Sequence, residues 1–425
     1  MYPNLYFFFK DVFGVEWNAL KLVNSFGFFV ALSFLAAAWI VTKELQRKQQ
    51  AGLLTFKTET ITFGGSAPIS ELVINAIMGF LFGFKLAGVF FTEGALNDPQ
   101  AYILSSQGNF AAGVVVAFIF AGLKWYDYHK LALPVPEKRE VRIWPHDRVG
   151  DLVIYAAIFG FAGAKLFHNF ENWNEFVANP LEALISFSGL TFYGGLICAG
   201  LAIVYYARKN NIAVPHLADA MAPALMLAYA LGRVGCQVSG DGDWGILNTA
   251  FISGPDGSLI PATADMAAKA IETNSSYYLQ QFGALNKVPS LHVNALSFLP
   301  NWFFAYNYPH NVLSEGITIA NCSGMWCQQL PVAVFPTPFY ETLACLLLFG
   351  GLWFIRKKIQ KPGMLFGIYL FVNGFERFWI EKIRVNTQYT ELPFQPTQAE
   401  LIALFLMLLG SVIVYRTSKA KLVQQ

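Results

Sequence analysis

Charged residues are scarce in this chain. Only 13% of its 425 residues are Asp, Glu, Lys or Arg, whereas 55% are hydrophobic. A soluble domain of this length could not cover so much apolar surface, so the composition excludes an ordinary soluble protein and predicts a polytopic membrane protein. No basic patch stands apart from the flanks of the apolar segments, which argues against nucleic-acid binding.

Cysteine is also scarce, and a cleavable export signal is lacking. The first 23 residues carry aromatic side chains and charges of both signs, without a basic start or a small-residue cleavage site, so we expect residues 1–24 to stay as an interfacial, extracytoplasmic segment. Of the five cysteines, Cys322 and Cys327 lie in a long polar region. They could close a small disulfide loop if that region faces an oxidising compartment, and the sequence leaves this open.

Nine segments are long and apolar enough to cross a bilayer. They predict an all-α fold, a polytopic membrane helical bundle of about nine transmembrane helices. The segments are 25–41, 72–91, 110–125, 152–167, 190–206, 217–235, 339–355, 364–380 and 399–415.

The distribution of basic residues predicts the orientation of these segments. Loops after the first, third, fifth, seventh and ninth segments are rich in Lys and Arg, whereas 92–108 and 168–189 contain neither. The positive-inside rule then places the N-terminus outside and the C-terminus in the cytoplasm. Residues 241–335 are predicted to form an extracytoplasmic head segment with a helix at 264–272. It lies between the first part of the bundle (25–240) and the last three helices with the cytoplasmic tail (336–425).

An internal repeat is visible in the first part of the bundle. The stretch 71–86, ELVINAIMGFLFGFKL, aligns with 151–166, DLVIYAAIFGFAGAKL, at an offset of 80 residues. We interpret this as a duplicated helix pair, 71–126 and 151–207, although two Gly- and Phe-rich segments could also resemble each other by chance. Tyr193 in the second copy corresponds to Ala112 in the first, so a functional Tyr193 would make the first pair a scaffold.

An arginine near the end of the sixth segment is the strongest candidate for chemistry. Arg233 follows an apolar run and leads into a Gly-rich turn, and an arginine at membrane depth costs several kcal/mol unless it has a partner or a substrate. Its guanidinium could bind a phosphate bidentately, or pair structurally with a carboxylate at the helix end. The turn that follows lacks the downstream ligands of a calcium loop, so we expect no metal. The turn contains Gly235, Asp241, Asp243 and Gly245.

A polar stripe marks the outer end of the eighth segment. Asn373, Arg377, Glu381 and Arg384 recur at spacings that place them along one helical face. In an apolar helix such a face must point to the protein interior or to a wet cavity. Glu381 can pair with Arg377 one turn away, which leaves Arg384 or Arg233 free for an anion. The alternative is an ion-pair clasp between helices.

Two tyrosines complete the candidates. Tyr193 precedes Gly194 and Gly195. Because glycine has no side chain, a helix or an acyl chain can approach closely there. Its phenol becomes a better base if cations lie near, but an interfacial aromatic anchor is an equally simple reading. Tyr340 and Glu341 open the seventh segment just after Pro338, and local rules alone explain them as a helix start.

Four stretches together resemble the bacterial phosphatidylglycerol–prolipoprotein diacylglyceryl transferases. They are GRVGCQVSGDGDWG at 232–245, SGLTFYGGLI at 188–197, PTPFYE at 336–341 and NGFERFWIEKIR at 373–384. The first is similar to the arginine-centred signature of the family, and the others to its HGG, P-S-x-x-Y-E and late Arg/Glu segments. The family has seven spans, and one duplicated helix pair would bring the count to nine.

The resemblance implies transfer of a diacylglyceryl group from phosphatidylglycerol to the lipobox cysteine of prolipoprotein signal peptides, without metal or cofactor, at the bacterial inner membrane. By resemblance the phosphoglycerol headgroup would be bound by Arg233 and Arg377, with Glu381 orienting Arg377. Either Asp241 or Asp243 would stand for the acidic residue of the family. The catalytic residues implied are Tyr193, Arg233 and Arg377, and the further substrate-binding residues are Gly235, Asp241, Asp243, Gly245, Tyr340, Glu381 and Arg384.

The chain departs from the family pattern at several positions. Tyr193 stands where the family has a histidine that acts as the presumed base, Cys236 replaces an asparagine, and Asn373 replaces a tyrosine. A paralogue with a different acceptor, or a lipid-binding protein without this chemistry, is therefore an alternative. A transporter of anionic solutes is a second one, but transporters place binding sites in both halves of a repeat, and the first copy lacks an equivalent arginine.

Overall fold

The protein is described from a computed structural model. The structure describes residues 1–93, 95, 102, 103, 105–185, 191–294, 298–386, 389 and 394–419. Nine long helices dominate it. They are α1 (Ser25–Gln50), α2 (Ile69–Phe82), α3 (Phe110–Lys130), α4 (Val149–Glu171), α5 (Phe192–Lys209), α6 (Val214–Ser239), α7 (Thr337–Ile355), α8 (Met364–Glu381) and α9 (Gln398–Lys419).

Shorter elements connect these helices. Short α-helices span Leu5–Phe13, Trp173–Ala178, Pro180–Ile185, Ala264–Thr273 and Ser275–Phe282, and a π turn at Gly83–Ala87 with a 3-10 turn at Gly88–Phe91 extends α2. The strands are β1 (Lys57–Phe63), β2 (Glu137–Ile143), β3 (Leu247–Ser253), β4 (Leu259–Pro261), β5 (Ser290–Leu291), β6 (Ile317–Thr318), β7 (Gln328–Gln329) and β8 (Val332–Val334).

The chain is a multi-pass helical membrane protein, which confirms the predicted fold class. All nine apolar segments coincide with the long helices. The segment 72–91 continues from α2 through the turns to Phe91, and 190–206 begins two residues before α5, with residue 190 outside the described residues. Within the described chain, seven helices are long and apolar enough to cross a membrane: α1, α2 through Phe91, α3, α4, α6, α7 and α9. The other two, α5 and α8, have 18 residues each. That they also span the membrane stays a prediction.

The chain divides into two compact units. The first comprises Met1–Glu16, Val23–Val41 and Pro215–Gln425, and the second comprises Trp17–Leu22 and Thr42–Val214. The boundary between them passes through α1.

In the second unit, glycines bring the helices of each pair together. A Cβ on Gly163 of α4 would lie 2.5 Å from the Gly194 carbonyl of α5, and one on Gly194 would lie 2.6 Å from the Gly163 carbonyl. Gly83, which is aligned with Gly163 in the sequence repeat, meets the Ala112 carbonyl of α3 in the same way. The β1–β2 ribbon, antiparallel from Lys57 opposite Ile143 to Phe63 opposite Glu137, belongs to the same unit. The two pairs share this packing, and their common origin stays a prediction.

In the first unit, α8 and α9 pack closely through glycines. A Cβ on Gly374 would lie 2.6 Å from the Ala403 carbonyl, and one on Gly410 would lie 2.6 Å from the Gly367 carbonyl. The start of α8 is tied to α6, because the buried Asp219 accepts hydrogen bonds from the backbone N–H groups of Gly363 (2.9 Å) and Phe366 (3.0 Å). These contacts fix the helices that carry the charged side chains described below.

The head segment, residues 241–335, has its own small core. Strand β3 pairs with β4 and β8 in antiparallel fashion and with β5 in parallel, and the predicted helix is present at Ala264–Thr273. Cys322 and Cys327 form a disulfide, which settles the question that the sequence left open. The buried cluster contains Trp244, Leu247, Tyr278, Tyr308, Leu330, Val332 and Val334.

Candidate functional site

The Gly-rich turn folds a carboxylate back onto Arg233. Helix α6 ends at Ser239, and the next residues reverse the chain through positive φ values at Gly240 (67°) and Gly242 (94°), which glycine adopts without strain. As a result the Nη1 of Arg233 donates a hydrogen bond to the Oδ2 of Asp243. The Thr337 hydroxyl fixes the turn by donating to the Asp243 backbone carbonyl at 2.7 Å.

Glu341 lies at the centre of the charged groups. It stands near the start of α7, its side chain is 0% exposed, and it contacts three arginines. One oxygen, Oε2, pairs with the Nε of Arg233, while Oε1 accepts from the Nη1 atoms of Arg377 at 3.1 Å and Arg384 at 3.3 Å. A carboxylate buried at this depth needs such partners, because an unpaired charge there costs several kcal/mol.

Arg384 is held by the main chain beside it. The backbone N–H of Ile246 donates to the Ile383 carbonyl at 2.9 Å, and a Cβ on Gly245 would lie 2.6 Å from the same oxygen. Only glycine allows this approach. Gly245 therefore acts by letting the backbone of residues 245–246 pack against Ile383, which fixes the position of Arg384. The Nη2 of Arg384 then donates to the Oδ1 of Asp243.

Glu381 holds the third arginine. Its Oε2 lies 2.9 Å from the Nη2 of Arg377, one helical turn away, as the spacing predicted. Its other oxygen accepts from Asn386 at 2.6 Å and from Thr397 at 2.8 Å. The carboxylate is therefore fixed on the side away from Arg377, which is the arrangement needed to orient a guanidinium.

Arg233, Arg377 and Arg384, together with Asp243, Glu341 and Glu381, form one connected set that we call the arginine network. Its three positive and three negative charges balance. The arginine side chains are only 16%, 19% and 9% exposed, so their hydrogen bonds are strong. The expectation that Arg233 or Arg384 would be left free was wrong, because the turn returns Asp243 to both. An incoming anion must compete with these carboxylates for guanidinium N–H groups.

The pKa values of the two aspartates in the turn are shifted in opposite directions. Burial alone would raise the pKa of Asp243, but the charges and hydrogen bonds of Arg233 and Arg384 outweigh it and hold that pKa below its usual range. Burial, followed by the negative charge of Asp243, raises the pKa of Asp241. The Oδ1 of Asp241 is buried and has no hydrogen-bond partner among the described residues. Of the two aspartates, only Asp243 pairs with the arginines of the network.

Three other predicted residues lie outside the network. The Tyr340 hydroxyl donates to the Phe303 carbonyl at 2.5 Å and so ties α7 to the head segment. A Cβ on Gly235 would lie 3.0 Å from the Cβ of Phe29, so this glycine allows α1 and α6 to pack closely. Tyr193 is the second residue of α5 and belongs to the second unit.

One group has ligand atoms suited to a metal. A sulfur of Cys236 and carboxylate oxygens of Asp241 and Asp243 lie within 4.8 Å of one another. Asp243 is already paired with two guanidiniums, and their positive charges repel a cation at this position. The donor set therefore fits a metal poorly.

Sequence reasoning missed part of this arrangement. It treated Glu341 as a helix-start residue, and it did not select Thr337, Asn386 or Thr397, whose roles depend on contacts with distant segments. The available signal was an acidic residue inside an apolar span, which is rarely placed without a partner. Glu376 carries the same signal: it is 8% exposed, and neither of its carboxylate oxygens has a hydrogen-bond partner among the described residues.

The fold and the network define a class, a multi-pass helical membrane protein with a buried arginine–carboxylate site. A family model, prolipoprotein diacylglyceryl transferase, matches residues 110–416, and the chain belongs to this family.

Several similar curated proteins carry the name phosphatidylglycerol–prolipoprotein diacylglyceryl transferase. The one from Dehalococcoides mccartyi strain BAV1 is 27% identical over 76% of this chain and 95% of its own length. The one from Enterococcus faecalis is 27% identical over 71% of this chain and 90% of its own length, and the one from Staphylococcus carnosus is 25% identical over 73% and 84%. The modest identity fits a divergent member.

Proposed function

We propose that this protein transfers the diacylglyceryl group of phosphatidylglycerol to the lipobox cysteine thiol of prolipoproteins and releases glycerol phosphate. One observation supports this most: three guanidiniums contact Glu341, and two of them, Arg233 and Arg384, also contact Asp243, in a chain of this family. The names of the relatives supply the donor lipid and the acceptor protein.

The network suits a reaction in which a phosphate monoester leaves. The thiolate sulfur attacks the glyceryl carbon that carries the phosphate oxygen, a C–S bond forms, and the C–O bond breaks. The electron pair of that bond stays on the phosphate oxygen of glycerol phosphate. Arg233 and Arg377 offer paired N–H groups to the phosphate and stabilise the charge that develops there. Glu381 orients Arg377, and Glu341 holds the three guanidiniums together.

The thiol proton must leave before or during the attack, because the thiolate is the nucleophile and a free thiol has a pKa of about 8.5. We propose that the phenolate form of Tyr193 accepts this proton and becomes the neutral phenol. It occupies the position of the family histidine, and neighbouring cations would be required to lower the pKa of a phenol from about 10. In this proposal the reaction uses no metal and no cofactor, because the network itself supplies the positive charge.

We further propose that the protein lies in a bacterial inner membrane with the N-terminus outside and the C-terminus in the cytoplasm. The alternation of basic and non-basic loops supports this orientation. The head segment and the arginine network would then lie on the extracytoplasmic side, where exported prolipoproteins present their lipobox.

The experiment is incubation of the purified protein with phosphatidylglycerol and a synthetic lipobox peptide, read by mass spectrometry. The expected result is a mass gain of one diacylglyceryl group on cysteine, lost in Arg233→Ala and kept in the exposed control Arg208→Ala. A family transferase of known activity runs in parallel. Its success beside a silent wild-type protein would reject the proposal.

A second candidate function is a lipid-binding paralogue with another acceptor. The specific observation in its favour is Tyr193 at the position of the family histidine. Under this alternative the protein binds phosphatidylglycerol through Arg233, but the thioether product is absent. Tyr193→His separates the two, because restoring the family residue should then create the missing transfer activity.

A further inference from the structure

A cavity in the first unit adjoins the arginine network. It has a volume of about 290 Å³. Its lining includes Asp241 and Asp243 of the Gly-rich turn, Tyr277 and Gln281 of the helix Ser275–Phe282, and Glu315. Since Asp243 borders the cavity and also pairs with Arg233 and Arg384, a molecule bound to the arginines can extend into the cavity.

The polar groups of the cavity are arranged as hydrogen-bond donors and acceptors without a net positive charge. The Oε2 of Glu315 accepts from the Tyr277 hydroxyl at 3.2 Å and from the Gln281 amide at 2.7 Å. Asp241 also lines the cavity, and its Oδ1 is buried without a partner among the described residues. The described lining contains no Lys or Arg, so a second anionic group would be repelled.

We propose that this cavity binds the headgroup alcohol of the donor phospholipid, a small neutral polyol. The hydroxyls of the polyol form hydrogen bonds with Gln281, Tyr277 and Asp241. The inference rests on the proposed function. A phosphodiester on the arginines has two substituents. The diacylglyceryl side carries acyl chains that must remain in lipid, whereas a bounded cavity with carboxylates, phenols and an amide suits the polar alcohol.

A polyol fits this lining better than an ammonium group does. Two of the three carboxylates are already engaged, Asp243 by two guanidiniums and Glu315 by Tyr277 and Gln281. The third, Asp241, has a buried Oδ1 without a hydrogen-bond partner among the described residues, and this oxygen can accept a hydrogen bond from a hydroxyl. Most of the remaining lining is apolar and can contact the C–H groups of a polyol. It includes Trp244, Leu247, Tyr278, Phe282, Leu330 and Val334.

The test compares two donor lipids with identical acyl chains. One is phosphatidylglycerol, and the other is phosphatidylpropanol, which keeps the phosphate but lacks both terminal hydroxyls. Binding to the full-length protein is measured by native mass spectrometry, and transfer to a lipobox peptide is measured in parallel. Wild-type protein should favour phosphatidylglycerol by about tenfold or more, since each unmatched polar group in the cavity then loses its partner.

Variants of adjacent glutamines supply the matched pair. Gln281 borders the cavity, whereas its neighbour Gln280 is exposed and does not. Gln281→Leu should reduce the preference for phosphatidylglycerol several-fold, Tyr277→Phe should do the same, and Gln280→Leu should leave it unchanged. Both glutamines are exposed and lie on one turn of helix, and Gln281→Leu additionally removes the hydrogen bond to Glu315, so thermal unfolding of both variants is measured beside binding.

The outcomes separate this inference from the proposed function. Equal binding of the two lipids, or identical selectivity of Gln281→Leu and Gln280→Leu, would each overturn the cavity assignment even if transfer proceeds. A preference for phosphatidylglycerol that depends on Gln281, without any transfer product, would support the cavity assignment while rejecting the transferase function.

Discussion

Two cations in apolar helices of this protein are neutralised in different ways. Lys85, in the second unit, donates to the backbone carbonyls of Tyr102, Ser105 and Gln107, all within 22 residues of it in the chain. Arg233, in the first unit, meets carboxylate side chains of Asp243 and Glu341, and the latter lies on another helix.

This difference in hydrogen-bond partners indicates which of the two cations can bind a ligand. Backbone carbonyls cannot leave Lys85 without unfolding the loop that carries them, so its pairing is structural. The partners of Arg233 are side chains that can share or yield guanidinium N–H groups to an incoming phosphate. A buried cation with local backbone partners therefore indicates architecture, and one with exchangeable side-chain partners indicates a site.

The largest effect is expected on the transfer rate, when Arg233 is substituted. Arg233→Lys keeps the positive charge but loses the planar donor set, and we expect transfer to fall by about 100-fold or more. Lys85→Met should leave the transfer rate per folded molecule unchanged and lower the midpoint of thermal unfolding. The measurements are peptide lipidation rates and thermal unfolding of each variant in the same detergent. Equal loss of transfer in both would remove the distinction.

The next effect concerns the centre of the network. Glu341→Gln removes the one carboxylate that contacts all three guanidiniums, and breaking a buried ion pair in this way costs about 3–5 kcal/mol of stability. The control is Glu71→Gln, which breaks an exposed pair with Lys124 in the second unit and should leave the unfolding midpoint unchanged. Urea or thermal unfolding in detergent measures both. Similar midpoints for the two variants would show that Glu341 is not the centre of the network.

A smaller effect on stability is expected at the glycine contacts between helices of the second unit. Gly163→Ala places a Cβ 2.5 Å from the Gly194 carbonyl, and overpacking of this kind costs about 1–3 kcal/mol. Gly200→Ala on α5 meets nothing within 4 Å and serves as the matched control. Thermal unfolding should separate the two glycines, since only the first sits at a helix contact. If Gly200→Ala were as destabilising, helix packing would not explain the effect.

How much of the structure can be predicted from the sequence depends on how far apart in the chain the interacting residues lie. Hydropathy and helical spacing suffice for the long helices and for the Arg377–Glu381 pair, because both depend on residues a few positions apart. The convergence of Asp243, Glu341 and Arg384 could not be predicted, since it depends on a turn that reverses the chain and on helices distant in sequence. The head segment lacks strong periodicity, so its strands and its cavity became visible only in the structure.

The smallest expected effect concerns pH and the two aspartates of the turn. The pKa of Asp243 is lowered in the folded protein, so its contribution to stability is present above the unfolded pKa of about 3.9 and is lost only as the pH falls through the lower folded value. The pKa of Asp241 is raised, so its ionised form destabilises the fold at neutral pH, and the penalty disappears as the pH falls through its folded pKa and then the unfolded value.

Asp241→Asn should therefore raise the unfolding midpoint slightly at pH 7 and by less at pH 4, whereas Asp243→Asn should lower it at both, because even at pH 4 the wild-type Asp243 remains ionised between Arg233 and Arg384. Asp127→Asn, at an exposed position in α3, controls for the loss of a carboxylate. Thermal unfolding at the two pH values measures all three. A destabilised Asp241→Asn variant at pH 7 would mean that the ionised carboxylate has a partner in the cavity, and it would contradict the difference between the two aspartates.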